Sequence, residues 1–185
     1  MLPESHYLGL DQAPRRIGWA LGNPEMSAPL SGVFVMPSVG ESTGLMLRMA
    51  SEWLQNTITV YHVSHLCFES PFVAGMKSQA TLRSMFALAG AVELVCDRTG
   101  TSCREVTPFV WHRRFIGTDR APKHITGSAR RRQWLKDQAM HACVARKWDV
   151  RTDDEAEACG ILDYVLACDF PAYGSAAGAQ LLEVL

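Results

Sequence analysis

The stretch HYLGLDQAPRRIGWALG, His6 to Gly22, reads as two strands joined by a tight turn. His6 to Asp11 forms the first and Arg16 to Leu21 the second, with Pro14 in the turn between them. GVFVM, Gly32 to Met36, reads as a third strand reached by a short connection, so the chain opens as an antiparallel meander. Beyond it the pattern changes. Ser42 to Asn56 is helical, with Leu45, Met49 and Trp53 about one turn apart, and Thr59 to Phe68 returns to strand character and ends at Glu69. Glu69 to Ser78 holds Pro71 and Gly75 and reads as a loop.

The second half alternates in the same way. Ser78 to Cys96 predicts a helix with Leu82, Met85, Phe86, Ala89 and Val92 on one stripe and Leu88 and Val95 at its side. Arg104 to Val106 predicts a short fifth strand, and a helix begins near Pro108. The polar loop IGTDRAPKHITGS leads to a basic helix, Ser128 to Lys147, whose Leu135, Ala139 and Ala142 suit a core. A last helix starts at an N-cap of Thr152 or Asp153 and turns Ala158, Ile161, Leu162 and Val165 inward. Three antiparallel strands followed by alternating helices and strands predict an α/β fold with a mixed sheet. Residues 1–170 are expected to form a single domain, and the Gly- and Ala-rich residues 171–185 a flexible tail.

At 185 residues and 48% hydrophobic, the chain is long enough to bury a substantial core. No apolar run is long enough to span a bilayer, and the N-terminus lacks the basic-then-apolar pattern of a secretory signal, so the cytoplasm is the expected compartment. Six cysteines fall without a CxxC pair, most of them in apolar periodic segments, which favours reduced core thiols over disulfides or zinc. His62 and His65 form HxxH, but strand alternation puts them on opposite faces.

A net charge of −1 conceals an asymmetry: 12 of the 18 Lys and Arg residues lie between Arg104 and Arg151, against four acids there. Clustered cations suit a polyanion, whose phosphates they neutralise with release of counterions; a solvated helix face would look the same.

Acids gather at the element ends. Asp11 closes the first strand, Glu69 the fourth, and Asp154 and Glu157 stand three apart on the last helix, sharing a face. Singly they read as a turn residue, a surface acid and helix N-terminal acids. Glu157 is the least easily explained so, because Ala156, Ala158 and Cys159 surround it. Brought together, the four would make an oxygen-rich pocket that repels itself unless hard cations such as Mg2+ or Mn2+ enter, and two such ions per site suit phosphodiester hydrolysis.

This order of acids, with DQAPRRIG (Asp11, Arg15, Gly18), FES and DEAEACG as its motifs, resembles the RuvC-type Holliday-junction resolvases, a branch of the ribonuclease H-like nucleases. The resemblance covers roughly His6 to Cys168. It implies a ribonuclease H-like five-stranded sheet flanked by helices, a homodimer, and metal-dependent cleavage of branched DNA at four-way junctions. Asp11, Glu69, Asp154 and Glu157 would be the metal-binding catalytic acids, and Lys123 the lysine near the scissile phosphate. Phe72 falls where the family has a junction-stacking aromatic. Arg15, Lys77, Arg113, Arg114, Arg120, Lys123, Arg130, Arg131 and Arg132 would contact DNA. The chain departs from the pattern at Glu157, usually Asp, at Gln12 and Ala13, usually Pro-Gly, and in a longer loop from Gly117 to Ser128. These departures suggest a phage-type or specialised member, acting in a bacterial or host cytoplasm. A broader nuclease acting on branched DNA or RNA–DNA hybrids would use the same acids, and a non-catalytic DNA-architecture protein would use the basic segment alone.

Overall fold

A computed structural model describes residues 5–36, 42–71 and 78–173. Five strands, β1 (His6–Ala13), β2 (Arg16–Gly22), β3 (Leu30–Val35), β4 (Val63–Glu69) and β5 (Ser102–Val106), form one sheet in the order β3-β2-β1-β4-β5. β1, β2 and β3 pair antiparallel, while β4 runs parallel to β1 and β5 parallel to β4. The helices are α1 (Thr43–Tyr61), α2 (Gln79–Thr99), α3 (Pro108–Phe115), α4 (Ser128–Ala145) and α5 (Asp153–Asp169). This is the mixed α/β sheet expected from the element order.

Strand alternation divides the core in two. Leu8, Leu10, Ile17, Leu21, Leu66 and Phe68 face α1 and α2. Tyr7, Ala20, Cys67 and Val106 face the other way, onto Trp111 and Phe115 of α3, Ala139 and Cys143 of α4, and Ile161 and Leu162 of α5. Among the described residues no helix is long and apolar enough to cross a membrane.

The main correction concerns the boundary between α1 and β4. Thr59 to Tyr61, expected to begin the strand, belong to α1, which continues through the β-branched run from Thr57. Leu54, Thr57 and Ile58 are buried at helical spacing. The Thr57 and Thr59 hydroxyls donate to the carbonyls of Trp53 and Gln55 at 2.9 and 2.8 Å, satisfying themselves within the helix. Tertiary burial overrides the strand propensity of those side chains. His62 ends the helix in the left-handed region at φ 51°, and its N–H donates to the Ile58 carbonyl, so it is not in a strand with His65.

On α2 the inner stripe is Leu88, Ala89, Val92, Val95 and Cys96, and Phe86 points outward, half exposed. Four cysteines are buried as expected; Cys103 and Cys168 are exposed, and all six are free thiols. Of the predicted tail, residues 171–173 form a short helical turn whose Tyr173 hydroxyl donates to Asp163 at 3.3 Å; residues 174–185 lie outside the described residues.

Candidate metal centre

Period-two alternation explains why two strand acids meet. Leu10 and Phe68 are register partners on adjacent parallel strands, and both point into the α1–α2 core. Asp11 and Glu69, one residue further along each strand, therefore point to the opposite face at the same edge of the sheet. That face belongs to α5, which lies on β1 and β2 with its N-terminus at this edge.

Glycines permit the approach. A Cβ on Gly18, the register partner of Asp11, would collide with the backbone carbonyl of Asp154. A Cβ on Gly9 would come within 2.6 Å of the Ala158 carbonyl and 2.7 Å of the Leu162 nitrogen. The helix is also capped tightly. Thr152 Oγ1 accepts from the Glu155 N–H at 3.2 Å, and the Glu155 carboxylate accepts from the Thr152 hydroxyl and from the Arg151 N–H. Glu155 thus helps to start α5, and its Oε2 also accepts from the Ser31 hydroxyl of β3 at 3.3 Å.

With α5 so fixed, ligand oxygens of Asp11, Asp154 and Glu157 all lie within 4.8 Å of one another. Glu69 stands beside them. Its Oε2 accepts a 2.7 Å hydrogen bond from the indole Nε1 of Trp111, a fully buried side chain of α3. Burial and the neighbouring charge of Glu157 push the Glu69 carboxyl up to about 7, against the Trp111 hydrogen bond and the Lys136 and Arg132 charges. Burial, then Glu157 and Glu69, drive Asp11 well above the usual carboxylate range. Glu157 is raised chiefly by burial, with Lys136 opposing.

Among the described residues two cations form ion pairs with the acids. Arg16 Nε lies 3.2 Å from Asp154 Oδ2. Lys136 of α4 places Nζ 2.7 Å from Asp153 Oδ2, 3.0 Å from Glu157 Oε2 and 3.6 Å from Asp154 Oδ1. Burial works to lower the Lys136 ammonium, but Glu157 and the hydrogen bonds to Asp153 and Glu157 outweigh it and raise the net value.

The acids fit a hard divalent cation. All the donors are carboxylate oxygens, the set Mg2+ and Mn2+ prefer. Asp154 Oδ2 is buried with no hydrogen-bond partner, because Arg16 lies off the bonding direction. A buried carboxylate oxygen that accepts no hydrogen bond, among acids raised by burial and by one another's charge, is stabilised by a bound dication.

The structure brings Asp11, Asp154 and Glu157 together, sets Glu69 near enough to raise Asp11, and separates the predicted cations. Lys123 sits exposed in a turn, and the lysine at the acids is Lys136. Arg15 is exposed in the β1–β2 turn, and its neighbour Arg16 makes the ion pair. Arg114 is directed into the protein, its Nε 3.1 Å from the fully buried Asp163. Arg113 pairs with Asp119 at 2.8 Å, and Arg120 lies 3.9 Å from the same acid. Arg131 Nε donates to the Ile125 carbonyl at 2.9 Å. Arg130 and Arg132 are exposed on the first turns of α4. Phe72 and Lys77 lie outside the described residues.

No protein-family model and no curated protein matches the chain by sequence. Solved structures do match. Thermus thermophilus RuvC aligns with a TM-score of 0.67 over 90% of this chain and 96% of that one, at 13% identity. The same protein in complex with Holliday junction substrate gives 0.65 at 10% identity over the same shares. The yeast mitochondrial Holliday junction resolvase gives 0.59 at 10% identity, covering 98% of this chain and 82% of that one. The chain has the ribonuclease H-like fold of the RuvC-type resolvases, the fold its motifs resemble.

Proposed function

We propose that this chain is a structure-selective endonuclease that resolves four-way DNA junctions by metal-dependent phosphodiester hydrolysis, acting as a homodimer that leaves paired symmetric nicks. The observation that carries the reading is the convergence of Asp11, Asp154 and Glu157 within 4.8 Å, beside Glu69, on a fold shared with junction resolvases. A structure of RuvC with junction DNA supports branched DNA as the partner.

Asp11, Asp154, Glu157 and Glu69 would hold Mg2+ or Mn2+. When bound, such ions polarise the phosphate and make water nucleophilic at neutral pH. The protein's own residues do the rest. Trp111 holds Glu69 in one orientation, and Gly18 lets Asp154 approach Asp11. Arg132, exposed on the first turns of α4, would supply positive charge to a bound phosphate. Exposed Arg130 and Lys123 would add further phosphate contacts. The outer face of α2 carries Phe86 and Leu94, both half exposed, which suits a face between two copies.

The experiment is cleavage of a labelled synthetic four-way junction in Mg2+ or Mn2+, by wild type and by Asp11→Asn. Paired symmetric nicks, lost by at least roughly a hundredfold in the variant, are expected. An intact junction alongside cleaved flaps or RNA–DNA hybrids would point to a broader nuclease. Junction binding that survives Asp11→Asn, with no cleavage of any substrate, would point to an architectural protein.

A further inference from the structure

Lys136 stands inside the acid cluster as a cation in its own right. Its side chain is 20% exposed, and its ammonium lies 3.0 Å from Glu157 Oε2 and 3.6 Å from Asp154 Oδ1, two of the three members of the converging ligand group. Asp153 anchors the same ammonium from outside that group, at 2.7 Å. Asp153 and Glu157 are four apart on α5, so one helix face presents both oxygens to it. The ammonium and a divalent ion therefore compete for the same carboxylates.

The two oxygens of Asp154 divide between the cations: Oδ1 lies 3.6 Å from Lys136, while the buried Oδ2 lies 3.2 Å from Arg16 Nε and accepts no hydrogen bond.

We infer that Lys136 is a resident cation that takes the place of one of two divalent ions, so that the DNA-free protein binds a single ion tightly and a second only against the ammonium. This rests on the metal-site reading of the acids. It differs from the two-ion expectation by assigning one cation position to the chain itself.

The test is Mn2+ titration of the DNA-free protein, followed by calorimetry and by the electron paramagnetic resonance signal of free Mn2+. Wild type is expected to take up one ion per chain. Lys136→Met is expected to take up two, or to bind the second roughly tenfold to a hundredfold more tightly, as removal of a like charge at contact distance requires. Lys136→Arg, which keeps the positive charge, should stay at one. Two equivalent ions in wild type, or a Lys136→Met count and affinity equal to wild type, would overturn the inference. No uptake by any of the three removes the metal-site reading and the inference with it. Uptake that Asp11→Asn abolishes, but Lys136→Met leaves unchanged, removes the inference alone. Lys136→Met leaves Asp153 and Glu157 without their cation, so its fold is checked by circular dichroism. Should it not fold, Lys136→Gln, which removes the charge and keeps a polar side chain, takes its place with the same expected outcomes.

Discussion

Trp111 shows how one side chain can serve the core and the site together. Its ring is fully buried and lies so close to Gly160 that a Cβ there would come within 2.6 Å of it. Its one polar atom donates to Glu69 at 2.7 Å. Replacing it with Phe keeps most of the apolar ring and removes the donor. We expect Trp111→Phe to fold and to lose roughly tenfold to a hundredfold in cleavage or metal affinity, the usual effect of losing a partner that orients a ligand. Unchanged metal affinity and rate would show that Glu69 needs no orienting. His112, tilted against Trp111 with ring centroids 3.9 Å apart, should make stability depend on pH. Burial pushes its imidazole down to about 4, with Asp119 opposing, so the fold keeps it neutral. A depressed histidine lets the unfolded chain bind a proton the native state refuses. Its share of stability is therefore intact above about 6.5 and declines as pH falls to about 4, by up to about 3 kcal/mol. Denaturant titrations of wild type and His112→Leu across this window check it. The wild-type curve should fall more steeply on acidification, and parallel curves would refute the assignment. The residue-scale details that the sequence concealed are the cations. Arg15 and Arg16 adjoin, and basic residues stud the whole segment from Arg113 to Lys136, so composition could not distinguish the one turned toward α5 from those turned to solvent.

At the scale of elements, the site depends on how closely α5 lies on β1 and β2. Gly18→Ala would drive a methyl group into the Asp154 backbone, and the backbone, unlike a long side chain, cannot swing aside. The expected result is a stability loss of about 1 to 3 kcal/mol from overpacking, with a disproportionate loss of metal binding because Asp154 is displaced from Asp11. Thermal unfolding with and without Mn2+ separates the two effects. A variant that unfolds earlier yet keeps the full metal-induced rise in Tm would show that α5 tilts without moving its acid. Most of this architecture was legible beforehand. The strand character of β1 and β2 and the three-residue spacing that puts Asp154 and Glu157 on one helix face were realised, whereas Gly18 was visible only as part of a motif and its contact with Asp154 was not. What misled was the junction of α1 and β4. Thr57 to Tyr61 carries strand-forming side chains, and only burial of Thr57 and Ile58 against the sheet decides for helix. The same applies to α2: apolar residues surround it, and the buried stripe depends on where α1 packs, which no local pattern contains.

At the scale of the molecule, charge is divided along the chain and gathered in space. The acids close on one sheet edge, while the first turns of α4 and the loop before it carry Arg130, Arg132 and Lys123, exposed and without ion pairs among the described residues. Arg113 and Arg114 are occupied by Asp119 and Asp163, so they contribute less to an external field than their number suggests. This sorting yields a quantitative expectation under the proposed function. Each phosphate contact made by a free cation contributes a slope of about −0.9 to the dependence of log K on log salt for duplex DNA. Replacing Arg130, Arg132 and Lys123 together with Ala should therefore make the slope shallower by about 2 to 3 and weaken binding to all junction sequences alike. Replacing Arg114 should leave the slope unchanged and lower stability instead, because it strands the buried Asp163 carboxylate. Junction binding measured over a salt series distinguishes the outcomes. A slope unaffected by the triple replacement would place the DNA on another face, and the acids at the sheet edge would then lack these cations to bring a phosphate to them.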